Sequence, residues 1–310
     1  MSRETEKVLK QLTKYMMEHQ DELRNGVSEN DLAQRFMEEY NASLQPNDVL
    51  EEPQTADDYM ELAENVSAKK KKLEYLSKAL ELEPDNLDAS RMIAEVSAKK
   101  PEELLDALSA LLEKGDFLME REGYFRDGIG EFWGILETRP YMRLRHSYFE
   151  LLIQCGMMSK AVNEGERLLE LCENDNLGIR YELMHLYAYF ENEDGALALH
   201  KKYDGYEESQ MLLPLAVLYY KKGIFERSIE YLRRLAKVNK DAKRFFRIVS
   251  KNGPDKLLEE MGLYGYRPFT IEELIDEYLT NRHLFDSASY FFDWAYRNMR
   301  KPSQSTAASK

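Results

Sequence analysis

One helix ends and the next begins around the stretch Lys78-Ala79-Leu80-Glu81-Leu82-Glu83-Pro84-Asp85-Asn86. Pro84 ends the first helix because a proline has no N–H to continue the hydrogen-bond ladder, and a second helix starts at about Leu87. Apolar residues recur three or four apart along most of the 310 residues, which contain only 15 Gly and 9 Pro. This is helical periodicity. Since no sustained two-residue alternation is bracketed by turn signals, the sequence predicts an all-α protein.

A repeat becomes visible when three small residues early in predicted helices are aligned. Ala161, Ala196 and Ser228 are 35 and 32 residues apart, and Gly156 and Gly223 each precede the small residue by five positions. A glycine permits a left-handed turn between two helices, and a small side chain lets those helices approach closely. Each preceding helix carries a corresponding apolar pair: Tyr148 and Leu152, Leu183 and Tyr187, Leu215 and Tyr219.

These patterns resemble the tetratricopeptide repeat (TPR) family. The stretch that ends at Asn86 is similar to that family's second helix and exit turn, and the Gly–x4–Ala spacing is similar to its intra-repeat turn. The resemblance implies a right-handed TPR-like α-α superhelix (solenoid). Lys72, Phe149 and Met184 depart from the pattern, because the family usually has a small residue there. Five units are implied, near residues 53–86, 87–115, 142–176, 177–208 and 209–241.

The predicted organisation follows from these units. A solenoid needs end caps because each terminal repeat exposes an apolar face. Two further segments, Phe132 to Arg143 and Tyr264 to Pro268, resemble parts of uncharacterised bacterial TPR proteins, which implies a bacterial origin but no activity. We expect a helical N-terminal cap (1–45), the first two units (53–122), an aromatic and glycine-containing connecting segment (123–140), units three to five (141–241), a C-terminal helical cap (242–299) and a disordered tail (300–310).

Composition restricts the classes of function. The formal charge is −14, so most of the surface repels nucleic acid and anionic lipid. The longest nearly apolar run, Met211 to Tyr220, is too short to cross a bilayer, and the first residues lack a basic-then-apolar signal pattern. Cys155 and Cys172 are the only cysteines, which excludes a disulfide framework. We therefore expect a cytoplasmic protein without membrane contact.

The TPR resemblance implies a concave groove that binds a protein or peptide, so we expect a non-catalytic scaffold or adaptor. A homo-oligomer is a further possibility. The alternative for the groove positions is that they face a neighbouring helix or solvent. The clamp for a C-terminal carboxylate is disfavoured, because its first-unit positions hold Gln54, Asp57, Glu61 and Glu64. The groove positions carried over are Arg143, His146 and Glu150, then Tyr181 and His185, then Leu213, Val217 and Tyr220.

The segment 221–251 concentrates positive charge. It holds eleven Lys and Arg against three Asp and Glu, a net +8, which leaves −22 for the remaining chain. Such a segment can dock an acidic partner, RNA or the acidic half of a second copy, or it is an ordinary solvated face. The candidate patch consists of Arg233, Arg234, Lys237, Lys240, Lys243, Arg244 and Arg247.

Trp133 and Arg139 are candidate anchors for a partner, since Trp and Arg dominate binding hot spots. The alternative, which we prefer, is that the connecting segment folds against the repeats and Trp133 fills a gap in the core.

Catalysis has little support, and no metal or cofactor is expected. The sequence contains no His-Glu-x-x-His, Cys-x-x-Cys or Gly-x-Ser-x-Gly motif. A peptide-responsive regulator with an N-terminal DNA-binding helix near residues 28–36 is a further alternative. It is disfavoured because residues 1–45 carry a net charge of −3, whereas a recognition helix must neutralise phosphates. A nucleic-acid-associated factor that uses residues 221–251 is the other alternative.

Overall fold

The computed structural model describes residues 3–43, 53–253, 255–260 and 267–299. The predicted tail at 300–310 lies outside these ranges. The described residues form helices and no β-strand, with 77% helix, so the all-α prediction is confirmed. An isolated antiparallel bridge joins Glu131 to Cys172. Across the described ranges, no helix combines the length and the apolar character that crossing a bilayer requires.

The chain divides into two compact units, one formed by residues 1–157 and 170–174 and the other by residues 158–169 and 175–310. Helix α10 ends with two residues that belong to the first unit. The first unit contains α1 (Arg3–Glu18), α2 (Gln20–Arg24), α3 (Glu29–Ser43), α4 (Ala56–Asn65), α5 (Lys69–Leu82), α6 (Leu87–Ser97), α7 (Pro101–Arg121), α8 (Tyr124–Asp127), a 3-10 turn (Leu136–Thr138) and α9 (Arg139–Gln154). The second contains α10 (Met158–Leu171), α11 (Ile179–Tyr189), α12 (Glu193–Lys202), α13 (Ser209–Lys221), α14 (Phe225–Val238), α15 (Ala242–Asn252), α16 (Asp255–Glu260), α17 (Ile271–Thr280), α18 (Arg282–Asp286) and α19 (Phe291–Met299).

In the first unit, α4, α5 and α6 share a small apolar core. Thr55 and Asp58 cap α4 reciprocally, each side chain accepting a hydrogen bond from the other residue's backbone N–H. Pro84 lies in the turn between α5 and α6, and the Asn86 side chain accepts from the backbone N–H of Ala89 to start α6. The core side chains are fully or almost fully buried: Ala56, Met60, Ala63, Leu76, Ala79, Ala89 and Met92.

The same turn follows three helices, α9, α11 and α13. In each, the amide N–H after the turn donates to the carbonyl oxygen five residues earlier, which is the Schellman hydrogen bond. The left-handed residue is Gly156 at φ +72°, Gly223 at φ +73°, and Glu191 at φ +58° in the hairpin that has no glycine there. The hydrogen bonds run from Met157 to Leu152 (2.8 Å), from Asn192 to Tyr187 (2.9 Å) and from Ile224 to Tyr219 (2.9 Å).

The three aligned small residues lie inside the protein. Ala161, Ala196 and Ser228 have no exposed surface, and the Ser228 hydroxyl donates to the Ala216 carbonyl at 2.7 Å. This hydrogen bond satisfies the hydroxyl and ties α14 to α13. The positions that depart from the repeat pattern, Phe149 and Met184, are also fully buried.

The C-terminal part of the second unit is an aromatic core between α15, α17, α18 and α19. Within the predicted C-terminal cap, α18 ends at Asp286 and a separate helix, α19, begins at Phe291. The Ser287 hydroxyl donates to the Leu284 carbonyl at 2.6 Å, a local bond that competes with helix continuation. Around the break, six rings form a cluster with mostly edge-to-face contacts, and Tyr278 stacks on Phe285: Phe245, Phe246, Tyr278, Phe285, Phe291 and Phe292.

Candidate functional site

Five exposed cations lie on α14, on α15 and in the turn between them, and together they are called the basic face below. Each has an exposed side chain, and no described carboxylate forms an ion pair with any of them. Arg244, also exposed, adjoins them on α15. The unpaired charge makes this surface attractive to an acidic molecule. The basic face consists of Arg233, Lys237, Lys240, Lys243 and Arg247.

The opposite sides of the two helices are apolar and buried. Leu232 and Leu235 of α14 are at most 1% exposed, and Phe245 and Phe246 of α15 have no exposed surface. Tyr231 is 7% exposed. The aromatic rings that alternate with the cations in the sequence therefore belong to the core, so they are not accessible for stacking on nucleic-acid bases.

Other cations of the basic segment are ion-paired within the second unit. Arg227 donates to Glu193 at 2.8 Å, and Lys222 also pairs with Glu193. Arg234, which we included in the candidate patch, donates through Nε to Glu207 at 2.9 Å and stacks its guanidinium on Tyr231. These residues tie α13 and α14 to the preceding helices rather than offering free charge.

Three of the positions that we assigned to a groove are inaccessible. His185 is 1% exposed, and Leu213 and Val217 have no exposed surface. The reason is tertiary packing: His185 contacts Glu277 of α17 and Phe285 of α18, and α13 is buried along most of its length among α11, α14 and α17. A peptide cannot reach these side chains in this arrangement.

The two tyrosines of that set are half-buried and occupied by contacts within the unit. The Tyr181 hydroxyl donates to Glu208 at 2.7 Å, and the Arg180 guanidinium lies 4.2 Å from the ring centroid. The Tyr220 ring centroid lies 5.0 Å from that of Trp294 on α19. Phe225, which is 44% exposed, completes this aromatic cluster at 5.4 Å from Trp294.

The contact between α11 and α17 centres on His185 and Glu277. Burial lowers the pKa of His185 to about 4. Burial, followed by the nearby charges of Glu273 and Asp276, raises the pKa of Glu277 well above its ordinary value. Among the described residues, no group of three or more His, Cys, Asp or Glu side chains is arranged to hold a metal ion.

In the first unit, Arg143 is committed to two carboxylates. Its Nε donates to both oxygens of Asp88 at 3.0 and 3.1 Å, and Nη1 donates to Glu6 at 2.8 Å. Asp88 is 2% exposed and Glu6 is 6% exposed. The other two α9 positions of the predicted groove, His146 and Glu150, lie 3.9 Å apart and are half-buried and exposed, respectively.

The candidate anchors Trp133 and Arg139 contact each other. Arg139 is 5% exposed, its Nε donates to the Trp133 carbonyl at 2.8 Å, and its guanidinium lies 5.5 Å from the Trp133 ring centroid. Arg139 also lies 3.4 Å from Glu6. The pair therefore holds the connecting segment against the start of α9, and Arg139 presents almost no surface to a partner.

Sequence reasoning did not identify the carboxylates Glu6 and Asp88, which organise the charges of the first unit. Charged residues at helix starts are common, so neither residue stands out by type. The sequence did contain one signal that α1 packs on α4: the lysines Lys7 and Lys10 of α1 are complementary in charge to Asp57 and Asp58 of α4.

Comparison of the chain with models of known protein families gives no match, and comparison with curated proteins gives no significant similarity.

Proposed function

We propose that the chain is a non-catalytic binding protein with a TPR-like right-handed superhelical architecture, and that its basic face docks an acidic segment of a protein partner. The observation that carries this proposal is the absence of any described carboxylate paired with the five exposed cations of the basic face. In a chain with 57 Asp and Glu, unpaired cations on consecutive helices favour an acidic ligand.

The dimensions of the surface support a short peptide. Lys243 and Arg247 are four residues apart on α15, and Arg233 and Lys237 are four residues apart on α14. At 1.5 Å per residue, each pair spans about 6 Å of helix axis. An extended peptide advances about 3.3 Å per residue, so carboxylates two residues apart match this spacing.

A protein partner is favoured over nucleic acid for two reasons. The residues outside the basic segment carry −22, which repels a long polyanion but not a short acidic peptide. The aromatic rings of α15, Phe245 and Phe246, are buried, so stacking on bases adds no affinity there.

The test uses the full chain and a fluorescein-labelled peptide of alternating Glu and Ser residues, followed by fluorescence anisotropy. We expect Arg233→Glu, Lys237→Glu and Arg247→Glu in combination to weaken binding at least about tenfold, since unlike charges become like charges. The matched control reverses Lys69, Lys70 and Lys71 on α5, which are exposed and change the net charge equally. It should change affinity by less than about twofold.

Equal loss in the two triple variants would show that only net charge matters, and the docking proposal would be rejected. A DNA duplex that binds more tightly than the peptide, with a log–log salt slope of roughly −3 to −4, would favour the nucleic-acid alternative instead.

A further inference from the structure

Helix α1 lies against α4 and α9 through a set of ion pairs within the first unit. Lys7 Nζ is 2.7 Å from Asp58 and 3.6 Å from Glu61, and Lys10 Nζ is 2.8 Å from Asp57. Toward α9, the Glu6 carboxylate of α1 accepts hydrogen bonds from the guanidinium groups of Arg139 and Arg143. The surface of α4 and α9 that α1 covers is therefore bipolar, with carboxylates on α4 and guanidinium groups on α9. We call it the α1-binding face.

The apolar side of α1 is only partly buried. Val8, Leu9, Leu12 and Met16 all retain intermediate exposure, whereas Met60 on α4 and Leu76 on α5 have no exposed surface. The buried cluster of α4, α5 and α6, and the partly buried side chains packed against it, include no described residue of α1. The ion pairs of Lys7 and Lys10 with α4 are partly exposed and contribute little net free energy, so a helix that carries the same charges can replace α1 at this face.

The charged groups of the α1-binding face are fixed by contacts other than α1. Arg143 is held by the two oxygens of the buried Asp88. Asp58 accepts from the backbone N–H groups of Gln54 and Thr55. These contacts keep the charged groups oriented, so the face is preorganised for an occupant of matching charge.

We propose that the α1-binding face is a docking site for an amphipathic helix of a protein partner, and that α1 is its displaceable internal occupant. The partner helix carries the charge order of α1: one acidic residue, with lysines one and four positions later, as in Glu6, Lys7 and Lys10. The acidic residue binds between Arg139 and Arg143, and the two lysines bind the carboxylates of α4. This surface is separate in its residues from the basic face.

The probe is a fluorescein-labelled peptide of residues 1–24 of this chain, titrated with the full-length protein. Wild-type protein should bind it weakly, because the attached α1 competes at high effective concentration. Lys7→Glu with Lys10→Glu in the full chain weakens the internal contact, and we expect the peptide to bind this variant at least about tenfold more tightly than it binds wild type. The matched control is Lys14→Glu, since Lys14 is 78% exposed and pairs only with Glu18 among the described residues; it should behave like wild type.

A charge swap tests the site itself. Adding Asp57→Lys and Asp58→Lys to the double variant should abolish binding of the wild-type peptide and allow binding of a peptide that carries Lys7→Glu and Lys10→Glu. If Lys7→Glu with Lys10→Glu lowers helical content, Lys7→Ala with Lys10→Ala replaces it, with the same expectation.

The proposal is overturned if the peptide binds wild type and the released variant equally, or binds neither while both melt at the same temperature. Reversal of Arg233, Lys237 and Arg247 should leave binding of the α1 peptide unchanged, so failure of this proposal and failure of the basic-face proposal are distinguishable.

Discussion

His185 Nε2 lies 3.1 Å from Glu277 Oε1, and both side chains are almost completely buried. The other ring nitrogen, Nδ1, lies 2.7 Å from the carbonyl oxygen of Tyr181. A carbonyl oxygen only accepts, so Nδ1 carries the hydrogen and the neutral ring accepts at Nε2. The hydrogen bond to Glu277 therefore requires a protonated carboxyl group. This is a neutral hydrogen bond between α11 and α17 rather than an ion pair, consistent with the pKa direction of both groups.

We predict that Glu277→Gln stabilises the protein at high pH. The folded pKa of Glu277 lies above its unfolded value, so its contribution is fully present below the unfolded pKa and is lost as pH rises through the folded pKa. Glutamine can still donate to His185 Nε2 and cannot ionise. The gain should grow by up to about 1.4 kcal/mol for each pH unit between the two pKa values, measured by urea unfolding between pH 4.5 and pH 8.

Glu272→Gln is a useful contrast, because Glu272 interacts with Arg267 and its pKa is lowered to about 2 by hydrogen bonds from Thr270 and Arg267. Its contribution is present above the unfolded pKa, so this variant should not show the gain at pH 8. A pH profile of Glu277→Gln parallel to that of wild type would show that Glu277 is ionised in the folded protein.

The titration of His185 affects stability at low pH, whereas that of Glu277 affects it at high pH. Burial lowers the folded pKa of His185 to about 4 from the ordinary value of 6.5, so protonation favours unfolding as pH falls from about 6.5 toward 4. We predict that His185→Gln reduces the loss of stability over this interval, to which a single titration contributes at most about 3 kcal/mol. Tyr181→Phe is the matched control, since the bond from His185 is to the Tyr181 backbone and persists. Identical acid unfolding of wild type and His185→Gln would contradict the neutral pair.

Local signals in the sequence were sufficient to predict the helical hairpins, but they did not predict which distant helices pack against those hairpins. The small residues Ala196 and Ser228 mark helix crossings because both the turn and the crossing lie within one hairpin. The contact between His185 and Glu277 joins residues 92 apart, and that between Glu6 and Arg143 joins residues 137 apart. Helical periodicity shows that α17 and α1 have a face to bury, but it does not show which earlier helix receives it. Three positions that the repeat pattern assigns to a groove, His185, Leu213 and Val217, are therefore buried although local signals did not indicate it.

The left-handed turn at Glu191 predicts a stabilising substitution. A non-glycine residue at φ +58° costs roughly 1–2 kcal/mol, and replacing it by glycine costs roughly 0.4–1 kcal/mol through the unfolded chain. Glu191→Gly should therefore stabilise the protein by about 0.5–1 kcal/mol in urea unfolding, despite loss of the 3.8 Å ion pair between Lys221 and the exposed Glu191. Gly223→Ala, at φ +73° in the corresponding turn, should have the opposite sign. Stabilisation by Gly223→Ala would show that the turn is not left-handed.

Because helices cross closely at Ala196, we predict that the stability of the protein depends on the side-chain volume at this position. Ala196 is fully buried early in α12, whereas Ala198, two residues later, is exposed. Ala196→Leu should destabilise the protein by about 1–3 kcal/mol because the added atoms force the two helices apart. Ala198→Leu should change stability by less than about 0.5 kcal/mol. Equal effects in chemical unfolding would mean that close helix approach does not depend on this residue.

Substitution of Arg143 distinguishes a peptide-binding role of this residue from a structural role. Its removal leaves Asp88 and Glu6 buried with reduced compensation: Arg91 lies 3.5 Å from Asp88, and Arg139 lies 3.4 Å from Glu6. We therefore predict that Arg143→Met destabilises the protein by about 3–5 kcal/mol. Arg143→Met combined with Asp88→Leu should be less destabilising than the sum of the single changes, with a coupling of about 1–3 kcal/mol, since the second change removes the stranded carboxylate. A peptide-contacting arginine gives a different result: Arg143→Met would leave unfolding unchanged and weaken ligand binding. Additive effects in the cycle, measured by urea unfolding, would show that Asp88 does not depend on Arg143 for its charge balance.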